Sequence, residues 1–305
     1  MSDADVRISV IIPTMNRPQT LLRTLRSFAS GSRVPDQVVV VDQSADPATR
    51  GENRAALESC AGGFETEYLH QELPSLTRAR NLGAAAAKYD TLIMSDDDVD
   101  LEPDTVANVY DLMRRPELAL IAGLNLDSGP AHFNRVLGKI FMTHSWRSRE
   151  GGYVTASMLG RYPERIDREL PTEWAMGYFF VIRRSLAARW GVEWDEKLVK
   201  YAYAEDLDFS MGYCRHAAQE GLECILTPRV AVHHLVSGEW RTPSYEATLF
   251  YIRNREYLRR KHRPGMFSWF AVRWTNCGML LMRLLKRQGA GDFLRAWREA
   301  GRTAL

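Results

Sequence analysis

Gln37 to Asp42 reads Gln-Val-Val-Val-Val-Asp, an apolar run with no polar residue in alternation. A strand apolar at every position must be covered on both faces, which a sheet open to water on one side cannot provide. Ile8–Ile12, Thr91–Met94 and Leu118–Gly123 share this character. Helical periodicity lies between them. Pro18 opens a pattern with Leu21, Leu22, Leu25 and Phe28 on one face, closed near Gly31. Ala48–Cys60, Leu76–Lys88 and Pro103 to about Arg114 read as further helices, with a short strand near Glu67–His70. This alternation predicts a mostly parallel sheet flanked by helices. Ligands of such sheets sit outside the carboxyl ends of the strands, at a switch point in strand order. Here those ends supply Pro13-Thr14, Asp42 and Ser95 to Asp98.

Several classes are excluded. The chain has 305 residues, 45% hydrophobic and 26% charged, enough for a large core and unlike a disordered or fibrous composition. Its 4 cysteines show no CxxC spacing, so neither a zinc site nor a disulfide framework is expected, and a reducing compartment is favoured. The first residues carry no apolar stretch of the signal-peptide kind, and no uncharged apolar run reaches spanning length. A cytoplasmic chain is therefore expected. A formal charge of +2 argues against a nucleic-acid binder relying on bulk charge. No GxGxxG or GxxxxGK[ST] follows any strand, so neither a dinucleotide fingerprint nor a P-loop is present.

An apolar strand runs straight into Asp96-Asp97-Asp98. Adjacent carboxylates repel one another unless a cation is present. In extended chain Asp96 and Asp98 point to one side while Asp97 turns away. Hard carboxylate oxygens suit Mg²⁺ or Mn²⁺. An EF-hand reading fails, because Leu101 stands where its glycine is needed and Ala107 where its bidentate Glu is needed.

In the second half, Gly177 precedes an apolar run from Tyr178 to Ile182 that ends in Arg183-Arg184. Glu205-Asp206-Leu207-Asp208 opens a helix reaching about Gln219, where simple capping would also favour acids. Leu222–Leu226 and Val230–Val232 read as strands around Pro228, the second leading into His233-His234.

Taken together these pieces resemble the family 2 glycosyltransferases, which have the GT-A fold and are mostly inverting. The matching pieces are Val10 to Arg17, Val39 to Ser44, Arg78 to Gly83, Asp96 to Val99, Gly177 to Arg184 and Glu205 to Asp208. They occur in the family's order and spacing between residue 7 and about residue 240. The resemblance implies a GT-A domain over 1–252, with a nucleotide-binding half (1–124) and an acceptor-binding half (125–252). It implies that Pro13, Thr14, Arg17, Asp42, Arg80, Asp96 and Asp97 serve the nucleotide, with Asp42 at the base and Arg80 near the diphosphate. Asp98 would hold Mn²⁺ or Mg²⁺, completed by His234 or His233. Trp174 and Gly177 would fall in the loop beside donor sugar and acceptor. Asp206 would be the general base, with Glu205 holding the local geometry. The implied partners are a nucleoside-diphosphate sugar and a sugar or lipid-linked acceptor. The family's usual Asp-Asp-Gly-Ser is Asp42-Gln43-Ser44 here, and Ser95 replaces a usual Leu or Asp. Two other readings compete: a non-catalytic sugar-nucleotide-binding protein, and a sugar-1-phosphate nucleotidyltransferase. The latter needs a Gly-rich basic loop after the first strand, which Pro13 to Arg17 is not.

Charge is unevenly spread. Residues 253–305 carry 13 Lys/Arg against 3 Asp/Glu, whereas acids outnumber bases in the first 252. Within this tail, Met266–Arg287 places Phe267, Phe270, Trp274, Gly278, Leu281 and Leu285 on one helical face. Arg273, Asn276, Arg283 and Arg287 fall opposite. The helix is expected either to pack on the catalytic domain or a second subunit, as in a homodimer, or to lie on an anionic membrane as a peripheral anchor.

Overall fold

A computed structural model describes residues 6–127, 135–199, 203–235 and 244–302. The first five residues and the C-terminal residues 303–305 lie outside the described residues. The first half runs β1 (Ile8–Thr14), α1 (Pro18–Ser30), β2 (Gln37–Asp42), α2 (Pro47–Ser59), β3 (Glu65–His70), α3 (Leu76–Ala86) and β4 (Thr91–Ser95). It continues through β5 (Val99–Leu101), α4 (Thr105–Leu112), β6 (Leu118–Asn125) and α5 (Arg135–Ile140). After the short strands β7 (Tyr153–Val154), β8 (Gly160–Arg161) and β9 (Leu170–Pro171) come β10 (Phe179–Arg183) and α6 (Arg184–Trp190). The chain ends with α7 (Glu205–Gln219), β11 (Glu223–His234), α8 (Ser244–His262), α9 (Met266–Leu285) and α10 (Ala290–Arg302).

The sheet has 9 strands in the order β3-β2-β1-β4-β10-β6-β11-β5, with β9 paired to β11. β3, β2, β1 and β4 are parallel, as are β6 and β11. β10 enters antiparallel between β4 and β6, and β5 lies antiparallel on β11. The sheet is therefore mixed but mostly parallel. Alternation along β1 explains its two-sided cover. Ile8, Val10 and Ile12 pack with Leu21, Leu25 and Phe28 of α1, while Ile11 packs with Val39, Val41 and Ala79 on the other face. Phe28 is fully buried, and cutting such a ring to Ala costs about 3–5 kcal/mol. Gly83 lets α3 settle on the sheet, since a Cβ there would stand 2.3 Å from Ile11 Cγ2.

The expected strands around Pro228 are one strand, β11, with a register shift between Leu226 and Ala231. A proline has no N–H for the ladder, so the irregularity absorbs it. β5 was not legible, being only three residues of mixed polarity.

α8 to α10 pack against the second half. Asn254 Nδ2 donates to the Tyr203 carbonyl at 3.0 Å, and the fully buried Arg255 donates to Ser157 O and to Asn276 Oδ1. Asp208 accepts from Lys261 Nζ at 2.8 Å and meets His262 Nε2 at 2.6 Å, which fastens α8 to the start of α7.

Candidate active site

β1, β2 and β4 end together, and the strand order reverses direction at β1, where β2 lies on one side and β4 on the other. The first carboxylates after β4 emerge at this switch point. Asp96 N donates to Tyr178 O at 2.9 Å, so the acids lie directly against the start of β10.

The chain leaves β4 at Ser95 and turns at Asp97-Asp98, and this turn divides the three acids. Asp97 turns inward, where its Oδ2 accepts from Thr14 Oγ1 at 2.6 Å and its Oδ1 from Arg17 Nη1 at 3.1 Å. Asp96, Asp98 and His234 converge instead, with one potential ligand atom from each lying within 4.8 Å of the others. His234 Nε2 stands 3.1 Å from Asp98 Oδ1. The imidazole is held by stacking on Tyr178, with ring centroids 5.4 Å apart, and its backbone N–H donates to Asn125 Oδ1 at 3.2 Å. Tyr178 and Asn125 were not among the expected site residues. Asn125 closes β6 at its carboxyl end, and that strand-end position is the signal that could have found it. His233 points elsewhere: its ring bonds Asp127 and Glu102, each at 3.0 Å. The structure thus brings His234, and not His233, to the acids.

The electrostatics fit a place where positive charge is wanted. Burial pushes Asp96 up to about 6, opposed by Arg80 and reinforced by Asp98. Burial likewise pushes Asp97 up to about 7 against the pull of Arg17 and Thr14. Burial pulls the His234 imidazole down, but the Asp98 hydrogen bond and the charges of Asp96 and Asp98 outweigh it and raise it.

Arg80 joins the first acids to the second. Its side chain is 1% exposed, and Nη2 lies 3.0 Å from Asp96 Oδ1, 3.0 Å from Gly177 O and 3.2 Å from Glu205 Oε1. Its guanidinium faces these acids beneath the site, so it holds them rather than lining an open pocket. Glu205 is buried and pushed up to about 8, first by desolvation and then by its acidic neighbours, with Arg80 opposing. Asp206, one residue on and half-buried, accepts from Gly177 N at 2.8 Å through Oδ2 and from Leu207 N at 2.7 Å through Oδ1. Burial raises Asp206 as well, opposed by these backbone donors. Gly177 is the pivot of this corner. A Cβ there would stand 3.1 Å from Arg80 Nη2, 3.2 Å from Glu205 Oε1 and 3.3 Å from Asp206 Cβ.

Two expected residues sit deeper than the resemblance implied. Asp42 is 0% exposed, with Oδ1 accepting from Ser44 N and Oδ2 from Asn53 Nδ2 and the Tyr68 hydroxyl. Pro13, on the neighbouring strand, is likewise buried in β1. Trp174 is buried against Tyr162, and its indole N–H donates to Arg161 O at 3.2 Å.

A family model described as "Glycosyl transferase family 2" matches residues 9–191. No curated protein matches the chain. Among solved structures, the chain is similar to a mannosyltransferase from Pyrobaculum calidifontis, PcManGT, in complex with GDP-Man and Mn2+. The TM-score is 0.57 at 16% identity, over 97% of this chain and 81% of that one. It is also similar to S. aureus TarS 1-349 in complex with UDP-GlcNAc, with TM-score 0.55 and 16% identity over 97% of this chain and 79% of that one. GalNAc-T7 with UDP, GalNAc and Mn2+ gives TM-score 0.57 and 18% identity, over 88% of this chain and 56% of that one. At these identities the likeness is one of fold, the GT-A fold, and the family rests on the sequence model. The chain belongs to glycosyl transferase family 2 and is an enzyme of the glycosyltransferase type.

Proposed function

We propose that the protein is a metal-dependent, inverting glycosyltransferase that moves a sugar from a nucleoside-diphosphate donor to an acceptor hydroxyl. The observation that carries this reading is the meeting of two acid groups at one corner: Asp96, Asp98 and His234 on one side of Arg80, and Asp206 on the other. Two carboxylates and an imidazole within 4.8 Å suit a divalent cation, and the nitrogen donor favours Mn²⁺ over Mg²⁺. Solved structures of similar fold hold Mn2+ with GDP-Man and with UDP, which supports the same assignment. When bound, such a cation neutralises charge on the departing diphosphate. Asp98 and His234 would hold it, with Asp96 shared between it and the Arg80 guanidinium.

In this reading Asp206 takes the acceptor proton. Its Oδ atoms are aimed by the Gly177 and Leu207 backbone N–H groups, and its raised pKa makes it a better base than an ordinary carboxylate. Inversion needs one base and one displacement at the anomeric carbon, so no covalent nucleophile is called for. Glu205 and Arg80 keep this base at a fixed place rather than touching the reacting atoms.

Calorimetric titration with UDP and with GDP, each with Mn²⁺ or with chelator, tests the proposal. Binding of one nucleotide should need the cation, and Asp98→Ala should remove that need together with most of the affinity. Equal affinity in chelator would sink the metal assignment.

A further inference from the structure

α9 is built inside out. Its inward arc is small or polar: Ser268, Ala271, Val272, Thr275, Asn276 and Gly278 are the residues it buries. Gly278 fits because it lies flat on Phe141, whose ring a Cβ would strike at 2.3 Å. Thr275 Oγ1 donates to Phe141 O at 2.7 Å, Trp274 Nε1 to Ile140 O at 2.8 Å, and Asn276 accepts from the buried Arg255. These contacts fix the rotation of the helix, and they leave its large apolar residues facing out. Phe267 is 67% exposed, Leu284 57% and Leu285 70%, and Met266, Trp269, Phe270 and Leu281 are exposed beside them. Ile140 of α5, also exposed, extends the same surface. The sequence expectation that Gly278 and Asn276 lie on opposite faces is corrected: both are inward, and packing and an outward apolar face coexist in one helix.

The charge on α9 itself has one sign. Between Pro264 and Gly291 there are Arg273, Arg283, Lys286 and Arg287 and no Asp or Glu. The segment Ser128–Arg149, part of which α9 packs on, likewise carries Arg135, Lys139, Arg147 and Arg149 and no acid. The rest of the molecule is net acidic, so the clustering is local. Among the described residues no helix is long and apolar enough to cross a membrane. A helix of about 30 Å, aromatic outward and rimmed by cations, is instead what lies in a bilayer interface.

We propose that the outward face of α9 docks the protein on an anionic lipid surface, with Phe267, Trp269, Phe270, Leu281, Leu284 and Leu285 entering the headgroup boundary. Arg273, Lys286 and Arg287 meet the lipid charge. The choice of a bilayer over a second copy of the chain rests on this charge: two copies of a face that carries only cations repel, whereas anionic headgroups complement it.

Sedimentation with vesicles of equal parts phosphatidylcholine and phosphatidylglycerol tests it, against vesicles of phosphatidylcholine alone. The full chain should bind the anionic vesicles and leave the neutral ones largely unbound. It should be released as salt approaches about 1 M, where charge is screened within about 3 Å. Phe267→Glu combined with Leu284→Glu and Leu285→Glu should cut binding more than tenfold at unchanged melting temperature, because these side chains are exposed. Arg273→Gln, Lys286→Gln and Arg287→Gln should each lower vesicle affinity roughly fivefold, a milder change that does not touch the apolar face. The proposal is overturned if the full chain stays in the supernatant with anionic vesicles at low salt. It is also overturned if light scattering shows a dimer that the triple glutamate variant dissociates, since a second copy then covers the face.

Discussion

Two runs of acids meet at Arg80, one at a strand end and one at a helix start, and they divide their labour by different geometry. In Asp96-Asp97-Asp98 the turn that follows β4 sends the middle acid to Thr14 and Arg17, leaves Asp96 on Arg80 and brings Asp98 to His234, with Arg17 Nη1 also 3.4 Å from Asp98 Oδ2. In Glu205-Asp206 the roughly 100° step of a helix does the same for a pair: Glu205 turns inward to Arg80 and Asp206 stays at the cleft. Each run thus ties at least one carboxylate to an arginine, and the proposed mechanism assigns the chemistry to the remaining acids. The difference lies in what the outward acids meet. Asp96 and Asp98 converge with an imidazole beside Arg80 and Arg17, a set of ligand atoms that suits a cation. Asp206 faces the backbone donors of Gly177 and Leu207, which fix its carboxylate where the proposed base is needed.

The division of roles within the helix pair is the place to break this comparison. Asp206→Asn removes the base at nearly constant volume, so turnover of the donor should fall about 10²-fold or more while nucleotide affinity persists. Glu205→Gln keeps an acceptor for Arg80 and should cost less. Steady-state kinetics beside calorimetric binding separate the two variants. If Glu205→Gln loses more activity than Asp206→Asn, the inward acid is the base and the comparison is inverted.

A smaller effect should follow at the pivot. Gly177→Ala places a methyl 3.1 Å from Arg80 Nη2 and 3.2 Å from Glu205 Oε1, contacts that are relieved by shifts of a few tenths of an ångström. Misplacement by 1 Å can cost about 10²-fold, so a loss of roughly tenfold in kcat with little change in nucleotide affinity is expected. Unchanged kcat would show that the corner is compliant and that Gly177 matters only for chain direction.

The sheet was legible because its central strands β1, β2 and β4 are predominantly apolar and buried at every position, and only cover on both faces accommodates that. The antiparallel entry of β10 was not, since Phe179-Phe-Val-Ile reads the same whichever way it runs. At the site, Asp96 and Asp98 do converge apart from Asp97, but a turn at Asp97-Asp98, and not the alternation of extended chain, brings this about. The sequence pattern could not choose between His233 and His234, the last two residues of β11, because only the ladder with β5 and β6 sets which ring meets Asp98. Asp42 shows the limit from the other side. A strand-end acid looks available in sequence, but Ser44, Asn53 and Tyr68, contributed by β2–α2, α2 and β3, occupy its oxygens. α9 was read as amphipathic correctly, yet which arc faces inward was decided by partners distant in sequence, Phe141 and Arg255.

The smallest effect sharpens the comparison through pH. Glu205 is buried and its carboxyl is pushed up to about 8 from an ordinary 4.5, with desolvation as the leading cause. The folded protein therefore holds a proton that the unfolded chain has released across that interval. A group raised on folding contributes stability that is full below the unfolded pKa and is lost as pH climbs through the folded one. The wild-type melting temperature should thus decline between about pH 5 and pH 8, measured without nucleotide or added cation. Glu205→Gln cannot titrate, so its curve over the same range should be flatter than that of the wild type. The two curves should approach or cross toward high pH, where the buried charge burdens only the wild type. Parallel curves would mean that Arg80 neutralises Glu205 fully. Glu205 would then differ from the strand-end acids in kind, as one half of a closed ion pair rather than a carboxylate under strain.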